Sequence, residues 1–265
     1  MSFEKHITKK SKPYIESLAD DLRARRDKNF FWPTGTQVYT GRQGSGKTIS
    51  LVKHLLDLKK RYPLALVVSN LILTQWNKVE FGTKGELGYR LSNFDVTSDY
   101  IYFSDMEQLS IALVTVNNGT KGVIYVIDEI HTYFNALDSK NIPMFIFTEI
   151  SQQRKQRKLI LGTSQLFLRM AKPFREQCDN LIFCKTVFGI FTVQKAYDGM
   201  TLEQDYDGSL SGDVKKTGWF FHNRKIRNSF DTFQKVVSGV EQYEATQQPI
   251  QLSVKGKGKK IKISK

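Results

Sequence analysis

The sequence predicts an α/β fold in which helices cover both faces of a mostly parallel sheet, giving three α/β/α layers with a small irregular β extension. Three observations lead to this prediction. Apolar runs of strand length recur along the chain, stretches with helical periodicity separate them, and a glycine-rich segment joins the first strand to the first helix. Continuous apolar runs are typical of parallel strands that are buried on both faces. A chain of 265 residues with 40% hydrophobic residues can bury such a sheet.

The first predicted elements form a βαβ unit. A strand at 36–40 is followed by a helix at 48–61, whose apolar residues recur on one face, and then by the apolar run 65–69. Residues 75–94 have no clear hydrophobic period, so we expect an insertion or irregular structure there.

Strands and helices continue to alternate in the middle of the chain. Ser104-Asp105 is a typical helix cap and predicts a helix that ends near residue 115. A second helix is predicted for 143–157. The predicted strands are 100–103, 123–127 and 159–165, and a hairpin over Gly189 pairs 181–184 with 191–194.

The glycine-rich segment Gly41–Thr48 matches G-x-x-x-x-G-K-[ST] at every fixed position, which predicts the phosphate-binding loop of a P-loop NTPase. Glycines let successive backbone N–H groups turn toward one anion. We expect Lys47 to reach the β- and γ-phosphates of ATP and the Thr48 hydroxyl to ligate Mg²⁺. The alternative is a glycine-rich turn without a ligand, which the flanking strand and helix disfavour. The predicted nucleotide-binding residues are Gly41, Gly44, Ser45, Gly46, Lys47 and Thr48.

Polar side chains follow two of the predicted strands where each strand ends. The run 123–127 leads into Asp128 and Glu129, and the run 159–164 leads into Gln165. Ligands of doubly wound sheets bind at the carboxyl ends of the strands, so these side chains are expected beside the loop. Asp128 would hold Mg²⁺ through water, Glu129 would orient or deprotonate the attacking water, and Gln165 would sense the γ-phosphate. The alternatives are acids that merely end a strand and, by spacing alone, a structural glutamine.

The charge of the chain favours a polyanionic partner. Forty basic and 26 acidic residues give a formal net charge of +14, which points to nucleic acid before a membrane surface. Positive charge is concentrated in 151–185 and in the lysines from Lys255 onward. The alternative is a solubilising surface with a disordered tail. The two cysteines predict neither a zinc site nor a disulfide framework, and no apolar run predicts a transmembrane segment.

Taken in order, these motifs resemble the zonular occludens toxin-like ATPases of filamentous phages, distant relatives of the FtsK/HerA DNA-pumping ATPases. The likeness covers roughly residues 35–200. It rests on the loop at 41–48, on Asp128-Glu129, on Thr163-Ser164-Gln165 preceded by Arg154, and on the stretch 175–179. The resemblance implies that Arg154, eleven residues before the glutamine, is catalytic. In ring ATPases a neighbouring subunit commonly supplies such an arginine. The rival interpretation is that Arg154 belongs to a solvated basic face.

The resemblance implies a cytoplasmic motor that packages, translocates or extrudes viral DNA, assembled as a homo-oligomeric ring. Viral structural or membrane proteins are further expected partners, and the expected location is the host cytoplasm, at the membrane periphery or on the virion. Phage relatives usually continue into a transmembrane helix, which this sequence does not show. The alternatives are a nucleotide-gated assembly scaffold and a helicase-like replication ATPase. We divide the chain into an accessory segment (1–34), an ATPase domain (35–200), an irregular β-rich extension (201–246) and a basic disordered tail (247–265).

Overall fold

A computed structural model describes residues 29–82, 99–204 and 210–231, together with Ser17 and Asp27. The predicted basic tail at 247–265, the lysines from Lys255 onward and nearly all of the predicted accessory segment therefore lie outside the described residues. The domain boundaries given above stay predictions.

The strands form one nine-stranded sheet and one small two-stranded sheet. The order in the large sheet is β11-β8-β7-β1-β6-β5-β2-β4-β3, and all neighbours are parallel except the pairs β7–β8 and β8–β11. The small sheet pairs β9 with β10. The strands are β1 Gly35–Thr40, β2 Leu66–Ser69, β3 Asn77–Glu80, β4 Asp99–Tyr102, β5 Val123–Ile127, β6 Lys158–Ser164, β7 Asn180–Val187, β8 Phe191–Asp198, β9 Glu203–Gln204, β10 Leu210–Ser211 and β11 Val214–Phe221.

Helices cover both faces of the large sheet, so the predicted three-layer α/β/α fold is confirmed. On one face, Leu51 and Leu55 of α1 pack against the sheet. On the other face, α2 and α3 contribute Leu109 and Ile146 to a second buried cluster. The helices are α1 Lys47–Arg61, α2 Met106–Thr115, α3 Met144–Ser151, α4 Lys172–Arg175 and α5 Arg224–Arg227, with 3-10 turns at Gly119–Lys121, Ile130–Thr132 and Phe167–Arg169.

The helix predicted for 143–157 is wrong in its second half, since α3 ends at Ser151. Gln153 turns inward, and its amide forms a hydrogen bond of 3.1 Å with the Thr36 hydroxyl. Arg157 takes the left-handed conformation at φ 51, and its guanidinium carbon lies 3.7 Å from the centroid of the Phe30 ring. These tertiary contacts outweigh the helical pattern of the sequence. β6 begins directly after Arg157, at Lys158.

Two strands lie where the sequence predicted irregular structure. β3 falls inside 75–94 and pairs in parallel with β4, at the edge of the large sheet. β11 falls inside the predicted β extension, yet it pairs with β8 and so forms the opposite edge of the same sheet. Among the described residues, no helix is long and apolar enough to cross a membrane.

Candidate nucleotide-binding site

The predicted phosphate-binding loop lies between the carboxyl end of β1 and the amino end of α1. Three of its glycines have positive φ: 143° at Gly41, 74° at Gly44 and 84° at Gly46. Gly46 also has no room for a side chain, because a Cβ there would lie 2.3 Å from Oγ1 of Thr186 and 2.5 Å from Oγ1 of Thr192. The loop therefore needs glycine at this position for both conformation and space.

The lysine of the loop is buried within it. The Lys47 side chain is 7% exposed, and its ammonium donates hydrogen bonds to the backbone carbonyls of Gly41 (3.1 Å) and Arg42 (3.2 Å). The backbone N–H of Ser45 donates to the same Arg42 carbonyl at 3.1 Å, which closes the loop into a turn. These contacts hold one positive charge at the centre of the concavity.

Asp128 lies directly across from the loop, as the sequence predicted. The Thr48 hydroxyl donates to Oδ1 of Asp128 at 3.0 Å. Burial raises the pKa of the Asp128 carboxyl, while hydrogen bonds from Thr163 and Thr48 and the charge of Lys47 act in the opposite direction. A half-buried carboxylate is therefore held here by hydroxyl donors and a nearby cation.

Two residues to which the sequence analysis gave no role hold Asp128 and Glu129, the acidic turn, in place. Thr163, in β6, donates its hydroxyl hydrogen to Oδ1 of Asp128 at 2.7 Å and accepts the backbone N–H of Glu129 at 2.8 Å. Asn70, just after β2, accepts the backbone N–H of Asp128 at 2.7 Å and donates to its carbonyl at 2.9 Å. Thr163 and Asn70 lie at the carboxyl ends of β6 and β2, the two parallel strands that flank β5.

Glu129 occupies a strained position beside the same loop. Its backbone is left-handed, with φ 49 and ψ 50, which is uncommon for a residue other than glycine. Burial and the Asp128 charge raise the pKa of its carboxyl, and the charge of Lys47, a hydrogen bond from Gln165 and the charge of Arg169 lower it. Gln165 therefore lies close enough to the Glu129 carboxyl to affect its pKa.

Two further polar residues surround the Glu129 carboxylate. Nδ1 of His131 lies 3.2 Å from Oε2 of Glu129, and burial lowers the pKa of this imidazole. Arg169 ends a 3-10 turn after β6, and its side chain is exposed and close enough to act electrostatically on Glu129 and on His131. The sequence analysis named neither residue, because nothing in their spacing marks them.

Arg154 does not join this group. It is exposed and lies in the turns before Lys158, where β6 begins, whereas Ser164, at the other end of β6, lies beside the site. Six strand steps separate the two ends, which is about 20 Å. Arg154 therefore lies near the amino ends of the parallel strands, whereas the loop of its own chain lies at their carboxyl ends.

A cavity of about 430 Å³ opens beside the loop. Gly46, Lys47 and Thr48 line one side of it together with Asp128. The far wall comes from the turn between β7 and β8 and from the chain after β11. The lining residues on that wall are Thr186, Gly189, His222, Arg227, Phe230 and Asp231.

The far wall is held together by hydrogen bonds among its own residues. The hydroxyls of Thr186 and Thr192 lie 2.8 Å apart, and the Thr192 hydroxyl lies 2.7 Å from Nε2 of His222. Arg227 donates to the Gly189 carbonyl at 2.6 Å, which fixes the segment after β11 against the hairpin turn. The lining contains Lys47, at the amino end of α1, and Arg227, together with the acidic residues Asp128 and Asp231. The two basic residues suit a phosphorylated ligand at this helix terminus.

No family model matches the chain, and no curated protein matches it either. Similar solved structures include the N-terminal domain of zonular occludens toxin from Neisseria meningitidis, at 12% identity and a TM-score of 0.49, covering 74% of this chain and 98% of that one. They also include the genome packaging NTPase B204 from Sulfolobus turreted icosahedral virus 2. Its complex with AMPPCP is 14% identical with a TM-score of 0.48, covering 70% of this chain and 98% of that one. At these identities the likeness concerns the fold.

Proposed function

We propose that this chain binds ATP with Mg²⁺, hydrolyses it, and uses the energy to move viral or mobile-element DNA during packaging, translocation or virion assembly. The observation that carries the ATPase proposal is the hydrogen bond of 3.0 Å between Thr48, in the phosphate-binding loop, and Asp128, at the end of a neighbouring strand. This contact joins two motifs that are 80 residues apart in sequence into one site.

The oxygen atoms at this contact fit magnesium. Mg²⁺ prefers oxygen ligands and is usually held by one or two carboxylates together with substrate phosphates and water. The Thr48 hydroxyl and the Asp128 carboxylate are such ligands, directly or through water, and Lys47 supplies a second positive charge. Bound Mg²⁺ would neutralise charge that develops on the β- and γ-phosphates.

Lys47, Glu129 and Gln165 would each have a separate role in hydrolysis. Lys47 would release its two loop carbonyls and donate to the phosphates, while the loop amides bind the same oxygens. Glu129, with its raised pKa, would accept a proton from the attacking water or orient it. Gln165, beside Glu129, would report the presence of the γ-phosphate to β6.

The DNA part of the proposal rests on different grounds. The net charge of +14 favours a polyanion, and the resemblance to phage ATPases points to a viral genome. A ring of identical subunits follows from the same resemblance. Arg154 could be catalytic only at the site of a neighbouring subunit, because the length of β6, about 20 Å, separates it from the site of its own chain.

Two variants test the chemistry. Lys47→Ala should lose nucleotide binding, because it removes the side-chain charge at the centre of the loop, whereas Glu129→Gln should bind ATP and hydrolyse it roughly 10²–10⁴-fold more slowly. Lys60→Ala and Glu107→Gln change exposed residues of α1 and α2 and serve as matched controls. Binding of a fluorescent ATP analogue and phosphate release measure the two effects. Normal turnover by Glu129→Gln would remove this residue from its proposed role.

One observation favours a second function, a nucleotide-gated scaffold for virion assembly. Helices α2 and α3 expose apolar side chains, with Val114 and Phe145 each 49% exposed and Met144 76% exposed. Such a patch suits a protein partner. ATP turnover that rises with single- or double-stranded DNA supports the motor, and turnover that responds only to a viral structural protein supports the scaffold.

A further inference from the structure

The edge of the large sheet formed by β7, β8 and β11 has two different faces. Side chains alternate between the faces along each strand. On the face toward α1, Thr186 and Thr192 lie against Gly46 of the phosphate-binding loop, and Thr186 lines the cavity. We call the opposite side the outer face. It carries Lys185 of β7, Phe191, Val193 and Lys195 of β8, and Trp219 and Phe221 of β11.

The outer face presents an aromatic cluster to solvent. Trp219 is 66% exposed and Phe221 is 58% exposed. Their ring centroids lie 5.3 Å apart, and the Phe221 centroid lies 5.8 Å from that of Phe191, in both cases edge to face. Phe191 and Phe221 are direct cross-strand partners. Adjacent, ordered and exposed aromatic rings of this kind usually mark a binding surface.

Positive charge lies next to the aromatic cluster without a counter-charge. Lys185 and Lys195 are exposed, and within the described part of the chain neither forms an ion pair. The acidic residue of β7, β8 and β11 is Asp198, at the end of β8, and its carboxylate is bound by Lys215 at 3.0 Å. The outer face is therefore aromatic and basic, and complementary to a ligand that is aromatic and anionic.

Strand geometry sets the spacing of these groups. Val193 lies opposite both Lys185 and Trp219, so the three form one row across the sheet. Lys195 lies opposite Thr217, which makes it the diagonal neighbour of Trp219, with their Cα atoms about 7–8 Å apart. Lys185 thus lies two strands from Trp219 in the same row, and Lys195 lies diagonally beside it.

We propose that the outer face binds single-stranded nucleic acid, with bases stacked on Trp219 and Phe221 and phosphates contacted by Lys185 and Lys195. Sequence-tolerant single-strand binders combine stacking rings with a basic surface in this way. Paired bases cannot present their faces to a ring, so the surface favours unpaired strands over a duplex. That the ligand is DNA rather than RNA rests on the proposed function.

The first test measures stacking in the full chain without nucleotide. Binding of a labelled oligo(dT) of about 16 nucleotides is followed by fluorescence anisotropy. Trp219→Ala and Phe221→Ala should each weaken binding roughly five- to hundredfold. Phe145→Ala, which truncates an aromatic residue of 49% exposure on α3, should leave the affinity unchanged. Oligo(dT) should also quench tryptophan fluorescence, and Trp219→Phe should remove the quenching while it preserves part of the affinity.

The second test measures the phosphate contacts. The double variant Lys185→Gln/Lys195→Gln should lower the slope of log affinity against log salt by about 1.4, since each single-strand phosphate contact contributes about 0.7. Lys60→Gln/Lys140→Gln removes two exposed lysines elsewhere and should leave the slope unchanged.

Several outcomes would overturn the proposal. Wild-type affinity in the aromatic variants would do so, as would an equal loss of duplex binding. Variants that change the oligomeric state but still bind oligo(dT) normally would show that the outer face joins copies of the chain. Because binding is measured without ATP, oligonucleotide binding by a chain that hydrolyses no ATP would refute the proposed function and leave this proposal standing.

Discussion

Replacing Thr163 with valine removes one hydroxyl that serves both acids of the candidate site. This hydroxyl donates to Oδ1 of Asp128 at 2.7 Å and accepts the backbone N–H of Glu129 at 2.8 Å, and the residue is fully buried. Valine has nearly the same shape, so Thr163→Val deletes two hydrogen bonds without opening a cavity. Thr163→Ser is the matched control, because it keeps the hydroxyl and loses only a methyl group.

The expected loss of stability follows from the two partners left behind. The Glu129 amide would have no other acceptor among the described residues, and an orphaned buried group costs roughly 1–3 kcal/mol. The Asp128 carboxylate would keep the Thr48 bond and lose one of its two hydroxyl donors, which adds about 1 kcal/mol. We expect Thr163→Val to lower the free energy of unfolding by roughly 3 kcal/mol. Thr163→Ser should lose about 1 kcal/mol.

The same substitution should slow ATP hydrolysis. Asp128 and Glu129 would no longer be fixed to β6, and a misplacement of about 1 Å typically costs 10²-fold in rate. The loss of a donor should also raise the pKa of Asp128 further, so that more Mg²⁺ is needed for half-maximal turnover. Urea denaturation and magnesium titration of the ATPase rate measure these effects. If Thr163→Val matches Thr163→Ser in both assays, the hydroxyl does not hold the acidic turn.

Two further predictions concern the loop and the assembly. Gly46→Ala should abolish nucleotide binding, because its Cβ would lie 2.3 Å from Oγ1 of Thr186. The Cβ of Gly44→Ala meets no atom within 4 Å, so this variant should lose only about 1 kcal/mol of stability through left-handed backbone strain. Equal losses of ATP-analogue binding in the two variants would contradict this prediction. Mixing inactive Arg154→Ala chains with inactive Lys47→Ala chains should restore ATP turnover where an intact loop meets an intact arginine. Full turnover by Arg154→Ala alone would assign that residue to the solvated surface.

The elements that could be predicted from the sequence are those whose signal is local. The loop is defined by glycines and a lysine at fixed spacing, and the buried strands β5 and β6 are continuous apolar runs. The position of Asp128 beside Thr48 then followed from topology alone, since parallel strands end at one edge of the sheet.

The remaining features depend on contacts between distant parts of the chain. Thr163 and Asn70 are ordinary polar residues in sequence, and only the order of β6, β5 and β2 places them on either side of the acidic turn. β3 and β11 are mostly exposed, and neither is apolar along its length. Their pairing with β4 and β8, rather than their own composition, makes them strands. Arg157, which precedes β6, takes a left-handed conformation beside the Phe30 ring, a contact that no local pattern encodes.

The hairpin of β7 and β8 links the two proposed sites. Parallel pairing with β1 ends where Thr40 meets Phe183, so the hairpin continues past the end of β1 to the level of the phosphate-binding loop. The face of the hairpin toward α1 lies so close to Gly46 that a Cβ added to this glycine would collide with Thr186 and Thr192. A shift of the loop toward the hairpin on nucleotide binding would therefore displace these threonines, and the outer face belongs to the same strands. DNA bound at Trp219 and ATP bound at Lys47 would thus lie on opposite faces of the same strands. Through these strands, ATP hydrolysis would change the affinity of the outer face for DNA.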